Sequence, residues 1–301
     1  MNLLVIGDSV VWGQGLLDQH KFSHLVATAI HAEKPEIYAH SGAIIGAQNT
    51  HIEPPVAGEV PVSLPSIVQQ LRFCTDPAAI DLAIVNGGIN DIGVGKILSP
   101  WTTKAQLHQS IHSHCGRDVK FLLGLMGAAI TKRGAKVVVP GYYTILSPDS
   151  THFLDKAQLF MMLEMHGVAT GSFALGSSFE PAMLLNSITG NCHDFFVRSN
   201  TEFAMAVAAA NEQFQGNPEF IFVPLPFTDE NAVFASHPLL WGLKLDLEAE
   251  DEVAAQRLPQ CALVFPDPLD CPSRFTCDRA SAGHPNIEGA AAIANAILAA
   301  L

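Results

Sequence analysis

Short apolar runs alternate with stretches of helical periodicity along this chain, the pattern of a parallel sheet covered on both faces. Residues 3–7 read as a first strand and 18–32 as the helix that follows it. A short second strand is predicted at 37–39, a third at 82–87, a fourth at 136–140 and a fifth at 220–224. Helices are predicted over 103–115 and 119–133, and 287–301 closes the chain as an Ala-rich helix. Roughly eighty residues separate the last two strands, far more than one crossover needs. That stretch holds helix-like pieces at 156–166 and 201–214 beside a Gly/Ser-rich loop at 171–178. It reads as a helical insertion or cap at about 144–218, not as a second domain. The Pro-rich segment 50–65 reads as an irregular loop near the carboxyl edge of the sheet. The expectation is one domain over 1–301, a three-layer α/β/α sandwich of flavodoxin-like kind with a central, mostly parallel five-stranded sheet.

Composition narrows the setting. Charged residues make up 15% of the chain and hydrophobic ones 49%, which supports a substantial core and excludes extended disorder. The formal net charge of −13 argues against a nucleic-acid partner, because phosphate binding needs clustered Lys and Arg. It also disfavours an anionic membrane surface, while leaving uncharged or zwitterionic lipid open. No uncharged apolar stretch reaches the length of about eighteen residues that a spanning helix needs, so no transmembrane segment is expected. The apolar run from Leu3 to Ile6 is too short for a signal-peptide core and lacks a basic flank, which leads to the expectation of a cytoplasmic protein. Oligomeric state is left open. The cysteines Cys74, Cys115, Cys192, Cys261, Cys271 and Cys277 are scattered and read mainly as free buried thiols. A Cys271–Cys277 bridge bracing the segment before His284 is the alternative.

Four short motifs fall at strand or helix ends. GDSVVWGQG, starting at Gly7, follows the first strand and places the Ser9 hydroxyl where open α/β sheets bind ligands. A serine becomes a nucleophile only beside a base, and Ser and Asp are equally at home as plain helix caps. In NGGIND, from Asn86 to Asp91, the Asn90 amide is placed to donate to an oxyanion, although the same residues make good turns. AHSGA carries Gly42, whose backbone N–H can approach a substrate closely. GHPN puts His284 on a loop, with Pro285 starting the last helix and Gly289 one turn into it.

Together these blocks resemble the SGNH (GDSL) hydrolase superfamily. They appear in the family's order as Gly7-Asp8-Ser9, Gly42, Gly88-Ile89-Asn90-Asp91 and His284, spread over nearly the whole chain. The resemblance implies a serine hydrolase cleaving carboxylic esters, of esterase or lipase type, with Ser9 as nucleophile and His284 as base. It implies an oxyanion hole made by the Ser9 and Gly42 backbone N–H groups and the Asn90 side chain, and a small-molecule or lipid ester as substrate. A sugar deacetylase or a thioesterase on the same site is equally compatible. One position departs from the pattern: the family's acid lies three residues before its histidine, and Ser281 stands there. Either Asp278 supplies the acid if the chain curls back, or a backbone carbonyl such as that of Ser281 takes its place. The departure also admits a non-catalytic binding protein that kept the scaffold.

Other features read more plainly. His108, His112 and Cys115 share one helical face and His114 does not, but without a His-Glu-x-x-His pattern they read as solvated helix residues. Cys192-His193-Asp194 is similarly weak. Neither a metal nor any other cofactor is expected. Trp12 is a candidate wall of the acyl pocket or a core aromatic. Phe153, Phe160, Met161, Met162 and Met165 either cover an acyl chain or pack on the sheet. No complete dinucleotide loop, Walker loop or Gly-x-Ser-x-Gly elbow is present.

Overall fold

The computed structural model describes residues 1–46, 60, 65–152, 156–168, 181–244, 246–269 and 273–301. The strands are β1 (Leu3–Ile6), β2 (Glu36–Ile37), β3 (Leu82–Val85), β4 (Lys136–Pro140) and β5 (Glu219–Val223). They form one parallel sheet in the order β2-β1-β3-β4-β5, with Leu4 opposite Glu36, Ile6 opposite Val85, Ile84 opposite Val138 and Pro140 opposite Val223. Every residue of β1 and β3 is buried, so helices must cover both faces.

The helices are α1 (Ser9–Trp12), α2 (Phe22–Ala29), α3 (Ile67–Phe73), α4 (Ile89–Ile92), α5 (Val94–Leu98) and α6 (Lys104–Ile111). After them come α7 (Val119–Ala129), α8 (Lys156–Met165), α9 (Pro181–Phe214), α10 (Ala254–Val264), α11 (Ser273–Asp278) and α12 (Ile287–Ala300). Local sequence starts several of them. Ser66 with Gln69 and Thr103 with Gln106 form capping boxes at α3 and α6, and Asn286 accepts the Gly289 N–H to open α12. The terminal helix α12 packs on α2 and reaches β4 and β5, while α9 packs on β5, α6 and α7.

Several predicted boundaries shift. The helix expected at 18–32 is a 3-10 turn, Asp18–His20, followed by α2, because Lys21 is extended and anchors its ammonium on Asp18. The two helices expected at 103–115 and 119–133 are joined by a π-helical segment, His112–Asp118, which buries Cys115 and Gly116. The helix expected at 201–214 starts twenty residues earlier, and as α9 it covers the sheet and the α6–α7 layer. Of the expected cap, α8 is the piece that reaches the carboxyl edge of the sheet. The loops expected at 171–178 and, apart from Val60 and Pro65, at 50–65 lie outside the described residues, as do Phe153 and Cys271.

The cysteine expectation needs correcting. Cys277 is bridged to Cys261, not to Cys271, because α10 and α11 pack side by side and bring those two together. Cys74, Cys115 and Cys192 are free and buried, as read from the sequence. None of the described helices is long and apolar enough to cross a membrane.

The strand order positions the site. The chain leaves β1 for β2 on one side and returns through β3 on the other, which opens a crevice at the carboxyl ends of β1 and β3.

Candidate active site

Ser9 opens α1 three residues beyond β1, and the rim around it is laced by side chains. The Asp8 carboxylate caps α1 by accepting the Val10 N–H at 2.9 Å, and it also accepts the Tyr142 hydroxyl at 2.6 Å. Tyr142 in turn accepts the Ile89 N–H at 3.2 Å, so one phenol ties the β4 loop to those after β1 and β3. Burial pushes the Asp8 carboxyl up to about 6, against the opposing pull of its Tyr142 and backbone hydrogen bonds.

The β2 loop is fixed from β3. Asn90 donates its amide to the Ala43 carbonyl at 3.0 Å, and the Asp91 carboxylate accepts the Ile45 N–H at 3.1 Å. Just before these anchors Gly42 turns with φ of 74°, the left-handed region that a side chain would strain. Asn90 carries two amide hydrogens, so one stays available after the Ala43 bond.

His284 arrives from the far end of the chain. A bridge between Leu240 and Pro285, with Gly283 N–H donating to the Trp241 carbonyl and Trp241 N–H to that of His284, pins its loop. The Tyr143 hydroxyl adds a bond of 3.1 Å to the Gly283 carbonyl. Held this way, His284 Nε2 lies 2.7 Å from Ser9 Oγ, and Nδ1 lies 3.2 Å from the Ser281 carbonyl oxygen. A carbonyl only accepts, so Nδ1 carries the proton and Nε2 presents its lone pair to the serine hydroxyl. Burial, with a smaller push from the Arg257 guanidinium, lowers the imidazole to about 4 and keeps it neutral near pH 7.

Ser9, Gly42, Asn90 and His284 all face one cavity of about 210 Å³, whose apolar lining includes Ile145, Met162 and Met165. Two further expectations are corrected. Asp278 does not reach His284: one helical turn away, Arg274 Nε takes both its carboxylate oxygens at 2.9 and 3.0 Å. Trp12 does not line the cavity, because Gly13 ends α1 and the indole turns toward Lys21 and His40. His108 pairs instead with Asp194 and His112 with Glu202, across to α9, and Cys115 is buried. Asp91, His114 and Asp118 lie close enough to share an ion, but Asp91 holds the Ile45 amide and His114 holds Asp118.

No protein-family model matches the chain, and no curated protein matches it in sequence. Similarity appears in three dimensions. The crystal structure of phospholipase A1 from Streptomyces albidoflavus NA297 superposes with a TM-score of 0.54 at 12% identity, covering 100% of this chain and 99% of that one. The fold is that of the SGNH hydrolases. TesA (15% identity, TM-score 0.39, covering 100% of this chain and 98% of that one) resembles it more weakly. So does Est24, a carbohydrate acetylesterase from Sinorhizobium meliloti (12%, 0.39, 73% and 83%), and neither adds to the assignment.

On this SGNH scaffold the residues that sequence reading passed over are Tyr142, Tyr143 and His166. The tyrosines follow β4 directly, and their place after a fourth strand on the same rim was a usable signal. His166 ends α8 beside the cavity, and no local pattern marks it.

Proposed function

We propose that this chain is a serine ester hydrolase working through a Ser9–His284 dyad. Ser9 Oγ attacks the carbonyl carbon of the ester as its proton passes to His284 Nε2. The resulting oxyanion is held by the Ser9 and Gly42 backbone N–H groups and by the free amide hydrogen of Asn90. The C–O bond to the alcohol then breaks, and the alkoxide takes the proton from His284. Water activated by the same imidazole releases the acid and restores Ser9. The Ser281 carbonyl fixes the tautomer where the family pattern has a carboxylate.

The observation that carries this reading is the 2.7 Å contact between Ser9 and His284, residues 275 positions apart, in the wall of one largely apolar cavity. The apolar lining and the likeness to a phospholipase A1 favour esters with a hydrocarbon acyl group over acetylated sugars. A fluorophosphonate probe tests the reading. Labelling at Ser9, abolished in Ser9→Ala and strongly slowed in His284→Ala, is expected. A native protein that stays unlabelled and hydrolyses no p-nitrophenyl ester of any chain length refutes it.

A further inference from the structure

His166 stands at the junction of two cavities. Beyond the catalytic pocket lies a second cavity of about 550 Å³. The two share Ser41, Gly42, Asn90, Val94, Met165 and His166 in their walls. Ser9 and His284 face the inner cavity, while Phe265 and Ser273 border the outer one.

Among the polar side chains of the inner pocket, the Ser41 hydroxyl and the His166 imidazole make no hydrogen bond to a described residue, and the larger groups around them are partnered. Ser9 has His284, Asn90 has the Ala43 carbonyl, Tyr143 has the Gly283 carbonyl, and Thr276 donates to the Met165 carbonyl at 2.5 Å. The imidazole of His166 makes no hydrogen bond to any described residue. It is not loosely placed, however. The Thr276 bond clamps the end of α8, the Val168 and Gly167 N–H groups return to Leu163 and Glu164, and a side chain on Gly95 would collide with the His166 carbonyl. The backbone is held and the ring is left without a partner. Burial and the nearby His284 lower its pKa to about 4, so near pH 7 it is neutral, with one N–H donor and one nitrogen acceptor.

The half-buried ring presents nitrogens that no described residue engages, and a ligand that supplies the partner gains a hydrogen bond there. We propose that His166 is a substrate-recognition residue that hydrogen-bonds an oxygen on the alcohol half of the ester, so that the site favours esters of polyols over esters of simple alkanols. The alcohol half follows from chemistry: the leaving oxygen must lie at His284, which returns its proton, and His166 lines the same cavity as that imidazole. A hydroxyl both donates and accepts, which suits a neutral imidazole. The inference rests on the serine hydrolase reading and names the substrate class for it.

The test compares kcat/KM for monobutyrylglycerol and propyl butyrate, which share an acyl chain and a three-carbon alcohol skeleton. In the native protein the glycerol ester is expected to be preferred by about five- to tenfold, the effect of one hydrogen bond in a dry site. In His166→Leu that preference disappears, mainly through KM, and His166→Gln retains part of it. Should the leucine variant fail to fold, His166→Phe fills the space without a hydrogen-bonding atom and is expected to lose the preference equally. A native ratio near one, or a preference unchanged in the apolar variants, overturns the proposal while leaving the hydrolase reading in place. A native protein that neither labels with fluorophosphonate nor cleaves p-nitrophenyl butyrate overturns the hydrolase reading, and this proposal with it.

Discussion

Replacing Asn90 by alanine separates chemistry from architecture, because in the proposed mechanism its amide group has two jobs. One N–H donates to the Ala43 carbonyl at 3.0 Å and holds the Gly42 loop. The other is free to meet the oxyanion. Loss of a single oxyanion donor costs about 10²–10³ in kcat, equivalent to about 2.7–4 kcal/mol of transition-state stabilisation. Loss of the Ala43 bond costs about 1 kcal/mol of stability, a fall of about 1–2 °C in Tm for a chain of this size. The loop does not collapse, because the Asp91 carboxylate still holds the Ile45 N–H. Asn90→Ala should therefore lower kcat for p-nitrophenyl butyrate at least a hundredfold with KM changed little. The control is Asp91→Asn, which weakens the same loop but removes no donor to the oxyanion. A comparable Tm loss with kcat within tenfold of native is expected there. An Asn90→Ala protein that keeps kcat within fivefold refutes the oxyanion role, and equal kcat losses in the two variants assign the effect to the loop.

Three further outcomes follow from the geometry. Asp278→Asn should leave the pH–rate midpoint unchanged, because its carboxylate serves Arg274; a shifted midpoint would restore Asp278 as the acid. With His284 lowered to about 4, kcat/KM should stay flat as pH falls from 7 and drop only near 4. Half-maximal activity near the ordinary histidine value of about 6.5 would contradict this. His166 and His284 are both lowered, so the unfolded chain binds their protons first, and stability should be lost progressively as pH falls from about 6.5 toward 4. Tyr142→Phe removes the hydroxyl that supports the buried Asp8. A cost of about 1–3 kcal/mol in denaturant unfolding is expected, and an unchanged midpoint would show that Asp8 needs no such partner.

The sheet and the meeting of Ser9 with His284 at its rim were legible in sequence for a common reason. Buried parallel strands must be short and apolar, and groups that meet at one rim must each follow a strand or precede a helix. Ser9, Gly42, Asn90 and His284 obey that rule and face one cavity. What escaped was decided by tertiary competition. Asp278 is near His284 in sequence, but Arg274 lies one helical turn away and takes its carboxylate. Cys277 is six residues from Cys271, yet the packing of α10 on α11 delivers Cys261. Trp12 follows Ser9 by three residues, but α1 lasts a single turn and Lys21 draws the indole off the site. His166 sits in a segment whose apolar pattern says only that a helix packs somewhere, so its place in the cavity depends on contacts with Thr276 and Gly95.

In the proposed dyad, the Ser281 carbonyl changes how the work of catalysis is divided. A carboxylate beside a histidine both orients the ring and stabilises the imidazolium that forms in the transition state. A neutral carbonyl at 3.2 Å orients the ring but supplies only a dipole, and the Arg257 charge acts against the cation. His284 is thus always ready to accept a proton but is a weak base when it does. In the proposed mechanism, stabilisation missing at the imidazolium has to come from the other charge that develops, the oxyanion, for which Gly42 and Asn90 are the proposed donors. In a dyad of this kind the oxyanion donors matter more than the base's partner. The ranking that follows is Asn90→Ala far more damaging to kcat than any substitution at Asp278.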